Sequence, residues 1–323
     1  MYHLTRGAAL LAGLMMAALA HAEPIPSGDF HQHVFSPADI AMLGPATGLR
    51  AMDAPELVEL LDAAGMQKAV LLSVAYLYGS PARQVEDEYA KVRAENDWTA
   101  AQAARYPGRL IAFCSFNPLK DYALDELARC AKHPGLHYGI KLHFANSDVQ
   151  LDNPEHLARL RQVFAAANRH HMAIVVHMRA NLRNHRPYGA GQARIFLEQL
   201  LPAAPGVTVQ VAHFAGAGPG YEDEAARAAM AVLADAVQRG DPRTRRLIFD
   251  VASLATPDMP PATARLLAER IRQVGVERIV YGSDSPQGGN LAPREAWAAF
   301  LRLPLTEEEF ARIAANVPSC FPQ

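Results

Sequence analysis

His31, His33, His177, His213 and Asp284 each stand at the end of an apolar run. Residues i and i+2 of a strand share a face, so the segment Asp29-Phe30-His31-Gln32-His33 can present two imidazoles to one ion. Imidazole and carboxylate suit zinc and related divalent cations, and a catalytic site keeps one position open for water or substrate. The pattern predicts a metal site gathered from distant stretches. Taken singly, each residue has a structural alternative. His177 and His213 could be buried core histidines, and Asp284, before Ser285-Pro286, could cap a helix or shape a turn.

The elements that must position these groups are eight predicted strands, spanning residues 29–35, 68–75, 109–116, 138–144, 173–178, 207–214, 246–253 and 278–284. Most are continuous apolar runs, such as Ala69-Val70-Leu71-Leu72 and Ile174-Val175-Val176, as expected for strands covered on both faces of a parallel sheet. Between them lie stretches with helical spacing, including Leu57, Leu60, Leu61 and Ala64, then Leu157, Leu160, Phe164 and Ala167. Gly65, Pro107-Gly108 and Gly275 supply helix stops. Eight alternating units in about 300 residues predict an α/β fold, a single (β/α)8 TIM barrel. In that fold, active sites sit at the C-terminal ends of the strands. His31 and His33 fall late in strand 1, His177 ends strand 5, His213 ends strand 6 and Asp284 ends strand 8, so all face one mouth.

Composition sets the frame. The 323 residues are 50% hydrophobic and 20% charged, with net charge −2 and no long run of like charge, which gives no electrostatic case for nucleic acid. Residues 1–22 carry Arg6, an apolar stretch from Ala8 to Ala20, and Ala20-His21-Ala22 as a small-x-small cleavage site. They read as a secretory signal peptide, leaving residues 23–323 as the barrel domain. The apolar stretch is shorter than the roughly 20 residues that span a bilayer, so an exported protein, free of the membrane after cleavage and periplasmic where the host has a periplasm, is expected. Three cysteines, Cys114, Cys130 and Cys320, are too few for a disulfide scaffold. Buried thiols are the expectation for Cys114 and Cys130, with one bridge between them the alternative.

The ordered set His-x-His, a strand 4 lysine (Lys141), a strand 5 histidine, a strand 6 histidine and a strand 8 aspartate resembles the amidohydrolase superfamily. Gly139-Ile140-Lys141-Leu142-His143, Val211-Ala212-His213 and Tyr281-Gly282-Ser283-Asp284-Ser285-Pro286 are most similar to its amidohydrolase-related branch, which includes aminocarboxymuconate-semialdehyde decarboxylase and several lactonases. The resemblance implies that His31, His33, His177 and Asp284 hold a metal and that His213 and Asp284 are catalytic. It implies one divalent ion, Zn2+ ahead of Mn2+, with a second ion if Lys141 is carboxylated and bridges the two. Otherwise Lys141 is an inner-barrel charge. A homodimer is compatible with the resemblance, although no apolar surface stripe demonstrates one.

The loop after strand 5 carries Arg179, Asn181, Arg183, Arg186 and Tyr188 beside a predicted ligand. Arginine forks suit carboxylates, so Arg179, Arg186 and Tyr188 are candidate contacts for a small acidic substrate. His143 shares a strand face with Lys141 and either touches substrate or pairs with a neighbour. The leading expectation is an exported metal-dependent hydrolase that attacks a carbonyl or lactone with metal-activated water. A nonoxidative decarboxylase using the same residues is the first alternative, and a metal- or solute-binding barrel without chemistry the second. Fold and ligand set together do not name a substrate.

Overall fold

The computed structural model describes residues 23–180 and 185–322. The expected signal peptide over residues 1–22, together with Asn181 and Arg183, lies outside the described residues. Eight strands follow one another around a single sheet in chain order: β1 (Gly28–Gln32), β2 (Lys68–Leu72), β3 (Leu110–Ser115), β4 (Gly139–His143), β5 (Ala173–His177), β6 (Val209–Val211), β7 (Leu247–Asp250) and β8 (Ile279–Val280). Every successive pair is parallel. Phe30 N donates to Tyr281 O and Asp284 N to His31 O, each at 2.9 Å, which ties the last strand to the first. The expected (β/α)8 barrel is the observed fold.

The helices among the described residues are α1 (Pro37–Leu43), α2 (Ala54–Ala63), α3 (Glu88–Ala104), α4 (Ala123–Lys132), α5 (Pro154–Arg169), α6 (Ala190–Ile195), α7 (Glu224–Gln238), α8 (Pro261–Val274), α9 (Pro293–Phe300) and α10 (Glu307–Ala315). The apolar stripes read in sequence are their inner faces: Leu57 and Leu61 of α2, and Leu160, Phe164 and Ala167 of α5, are buried. α8 stops at Gly275, whose φ of 90° a side chain would resist. Phe30, Val70, Ile111, Phe113 and Val175 fill the inside of the barrel. No helix among the described residues is long and apolar enough to cross a membrane.

Two features depart from expectation. β6 and β8 are shorter than their apolar runs, because the chain leaves the sheet there before the functional residue. β6 ends at Val211, so His213 occupies a 3-10 turn at φ 52°, and β8 ends at Val280, so Asp284 sits beyond it at φ 67°. Left-handed backbone is uncommon for non-glycine residues and gathers where structure holds side chains for a task.

The second departure is a disulfide joining Cys114 of β3 to Cys130 of α4, which corrects the expectation of thiols; Cys320 is free. α4 folds back over β3 and brings Cα atoms 16 residues apart in sequence to 6.2 Å. A closed loop of that size stabilises the chain by about 3 kcal/mol. The Cys114→Ala/Cys130→Ala double variant should lose about that much in denaturant unfolding, whereas an unchanged midpoint would mean the bond is not formed in solution.

Candidate active site

Three histidines have their protonation written by obligate acceptors. His31 Nδ1 donates to Asp250 Oδ2 at 2.9 Å, His33 Nδ1 to the Leu72 carbonyl at 2.6 Å, and His213 Nδ1 to the Ala252 carbonyl at 2.9 Å. Each ring therefore carries its lone pair on Nε2, the tautomer that metal-binding histidines adopt when Nδ1 is held by a carbonyl or carboxylate. Burial lowers the pKa of His33 to about 3 and that of His213 below its ordinary range, keeping these rings neutral. His143 differs. Its Nδ1 accepts from Asn146 N at 3.3 Å, so its proton sits on Nε2 and it offers a donor rather than a ligand.

Asp284 faces this group. Its Oδ1 lies 3.4 Å from His33 Nε2 and 3.9 Å from His31 Nε2 and accepts from Ser285 N at 2.9 Å, while Oδ2 accepts from Asn290 Nδ2 at 3.0 Å. Burial alone would raise its pKa, but His31, His33, His213 and Lys141 more than offset that and hold it ionised. His31, His33 and Asp284 bring donor atoms within 4.8 Å of one another, as do His31, His213 and Asp250. His177 stands in neither trio. Its ring stacks on His143 at 3.9 Å and meets His213 at 5.2 Å.

Asp250, at the end of β7, was not singled out in the sequence, although it closes an apolar run as His177 does. It is fully buried and accepts from His31 Nδ1, Gln210 Nε2 (2.7 Å), His213 N (2.8 Å) and Ala252 N (3.2 Å). Burial raises its pKa, but His31 and His213 overcome this and hold it well below the usual carboxylate range. Asp29 plays a structural part: its carboxylate takes Ser283 N, Ser283 Oγ and Gln32 Nε2, tying β1 to the end of β8.

Lys141 Nζ donates to His31 Nε2 at 3.0 Å, and burial lowers its pKa to about 8 against the pull of Asp250 and Asp284. Two ionised carboxylates thus stand in a buried cluster beside one amine and the neutral rings of His33 and His213. The excess negative charge, with converging Nε2 lone pairs, fits a divalent cation.

These side chains surround a cavity of about 260 Å³ at the C-terminal mouth of the barrel. Phe35, Val74, Tyr76 and Leu77 form an apolar wall, and Ser285, Gln287 and Asn290 a polar one. Behind the apolar wall, Ser36 Oγ donates to Glu95 Oε2 at 2.7 Å. Burial and nearby Asp39 push the Glu95 carboxyl up to about 9, and its bond from Ser36 pins the start of α1 to α3.

Of the residues read as substrate contacts, His143 lines this cavity; Arg179, Arg186 and Tyr188 do not. Arg179 pairs with Asp223 and covers the Tyr188 ring at 4.7 Å. Arg186 forks onto Asp148 at 2.7 and 2.6 Å, and the Tyr188 hydroxyl donates to Ala215 O at 2.5 Å. The expected free guanidinium forks are already satisfied within the chain.

A family model described as amidohydrolase matches residues 29–316. No curated protein matches the sequence. Among solved structures, a 5-carboxyvanillate decarboxylase variant from Novosphingobium aromaticivorans with bound manganese shares 15% identity at a TM-score of 0.60, over 91% of this chain and 96% of that one. An amidohydrolase from Burkholderia multivorans with bound zinc shares 15% at 0.56, over 90% and 96%. A probable 2-pyrone-4,6-dicarboxylic acid hydrolase from Acinetobacter baumannii with bound citric acid shares 19% at 0.56, over 90% and 96%. Several of the similar structures are of decarboxylases. At these identities the likeness is one of fold.

Proposed function

Because this chain belongs to the amidohydrolase family, we propose that it is a metal-assisted enzyme that removes carbon dioxide from a small carboxylic acid. Hydrolysis of a lactone or related carbonyl compound is the second reading. The observation that carries the proposal is the convergence of three Nε2 lone pairs and the Asp284 carboxylate on one cavity that Phe35, Val74, Tyr76 and Leu77 also line. This reverses the order of the two expectations from sequence. The apolar wall strips water from a bound carboxylate, and losing that solvation favours departure of neutral carbon dioxide. The preponderance of decarboxylases among similar structures supports the same order.

His31, His33 and Asp284 would hold the ion, with His177 or His213 completing the set; manganese and zinc both suit these donors. When bound, the ion would polarise an oxygen of the substrate as a Lewis acid. Asp284, ionised at rest, would take up one proton from solvent as the substrate carboxylate binds and deliver it to the carbon that carries that carboxylate. The carbon–carboxyl bond breaks, its electron pair stays on that carbon and forms the new C–H bond, and carbon dioxide leaves. His143 Nε2–H steadies an oxygen of the substrate. Lys141, uncarboxylated, offsets the charge of Asp250 and Asp284. In the second reading, Asp284 and His213 would deprotonate and position water; a probable hydrolase among the similar structures supports keeping that reading. Export of the mature chain from residue 23 onward belongs to the same proposal, and the Cys114–Cys130 bond supports it, since disulfides persist in oxidising compartments.

The test feeds metal-loaded protein 5-carboxyvanillate, and separately 2-pyrone-4,6-dicarboxylate, in heavy-oxygen water. Carbon dioxide release with no heavy oxygen in the organic product is the expected result, with about one ion per chain by elemental analysis. Heavy oxygen in a new carboxylate would install the hydrolase reading, and a chain that takes up no ion would overturn both.

A further inference from the structure

Asn290 stands between two cavities. It lines the one at the barrel mouth, and it also lines a second, of about 190 Å³, together with Ser253, Leu254, Leu291 and Phe300. Its amide is bonded at both ends: Nδ2 donates to Asp284 Oδ2 at 3.0 Å, and Oδ1 accepts from Ser253 Oγ at 2.8 Å. The carboxylate fixes this orientation, because a turned-over amide would set its own oxygen against Asp284. Packing alone does not hold the amide there, since open space borders it on both sides.

Ser253 is itself held in place. Its φ is 57°, a left-handed conformation uncommon outside glycine, and its carbonyl accepts from Gly220 N at 2.9 Å. A Cβ at Gly218 would come within 2.6 Å of the Ser253 Cβ, so the loop after β6 can pass this point only as glycine. The Ser253 hydroxyl reaches the end of β8, where it meets Asn290 and, at 3.3 Å, Ser283 O. Strain of this kind persists where the surrounding structure enforces it, often at a functional site.

We propose that Asn290 and Ser253 are positioning residues for Asp284: they tie down Oδ2, so that Oδ1 stays turned toward the Nε2 atoms of His33 and His31, 3.4 and 3.9 Å away. Ser285 N, bonded to Oδ1 only, would leave the carboxylate plane free to rotate. The inference rests on the catalytic reading of the cavity, since it takes Asp284 Oδ1 to face the ion.

Calorimetric titration of the metal-stripped protein with manganese, and separately with zinc, tests it. Asn290→Leu keeps the bulk of the side chain and loses both bonds, so it should weaken metal binding about 10- to 100-fold, the range for partners that orient a metal ligand. Ser253→Gly separates positioning from folding. Glycine takes the left-handed conformation without strain and lacks the hydroxyl, so the unfolding midpoint should stay near that of wild type while metal binding still weakens. The two substitutions together should cost no more than Asn290→Leu alone, because Ser253 acts through the Asn290 amide. In the metal-free protein, the Asn290 side-chain hydrogens should exchange with water slowly in wild type and faster in Ser253→Gly. Metal affinity in Asn290→Leu equal to that of wild type, additive losses in the double variant, or unchanged exchange in Ser253→Gly would overturn the positioning role and leave the catalytic reading standing. A wild type that takes up neither ion sinks that reading, and the role with it.

Discussion

Asp284→Asn is expected to lower kcat by roughly a thousandfold or more on any acid the wild type consumes, the scale on which a positioned proton-transfer group contributes together with a lost metal ligand. The side chain keeps its shape, so the fold should survive. Its charge does not, and that charge faces His31 and His33 at 3.9 and 3.4 Å. The neighbours make the substitution worse than a simple neutralisation. Ser285 N and Asn290 Nδ2 both donate to the carboxylate, so an asparagine amide can satisfy one of them and must set its own N–H2 against the other. Asn290 has little freedom to respond, because its Oδ1 accepts from Ser253 Oγ at 2.8 Å. Turnover and metal content should therefore fall together at an unchanged far-ultraviolet spectrum. A variant within threefold of wild type in both would leave Asp284 as a turn residue and put the proton transfer on another group.

The barrel was legible because its signal is local: each β-strand is an apolar run and each helix an apolar stripe, and neither needs knowledge of its neighbours. The mouth was legible for the same reason, since His31, His177 and Lys141 lie on those runs. What escaped was pairing across the chain. Arg179 and Arg186 look free in a basic loop, and only the fold reveals Asp223 and Asp148 against them, 44 and 38 residues away. The over-long strands have a different cause. Ala212 and Phe214 are as apolar as β6 itself, so hydropathy continues where the hydrogen-bonded ladder has already ended. Asp250 gave the same signal as His177 but lay outside the resembling motifs.

Asp250→Asn should switch the tautomer of His31. All four groups on the Asp250 carboxylate are donors, two on each oxygen, so an acceptor-only side chain is required there. Asparagine has one oxygen for two sites. The backbone N–H groups of His213 and Ala252 cannot become acceptors, so the amide oxygen goes to them and the N–H2 turns toward His31 and Gln210. His31 can then keep its bond to residue 250 only by accepting at Nδ1, which moves its proton to Nε2, the nitrogen that would bind the ion. Metal affinity should fall about 10- to 100-fold, the usual effect of losing a carboxylate that orients a ligand histidine. Nitrogen NMR of the metal-free protein should show the His31 proton on Nδ1 in wild type and on Nε2 in the variant, a change that a purely structural role for Asp250 would not cause. Stability should drop by about 1–3 kcal/mol as well, since Gln210 loses its acceptor in the core. An unchanged tautomer with unchanged metal affinity would show that Asp250 only braces β7, and that the Nε2 lone pair of His31 is set by Lys141 instead.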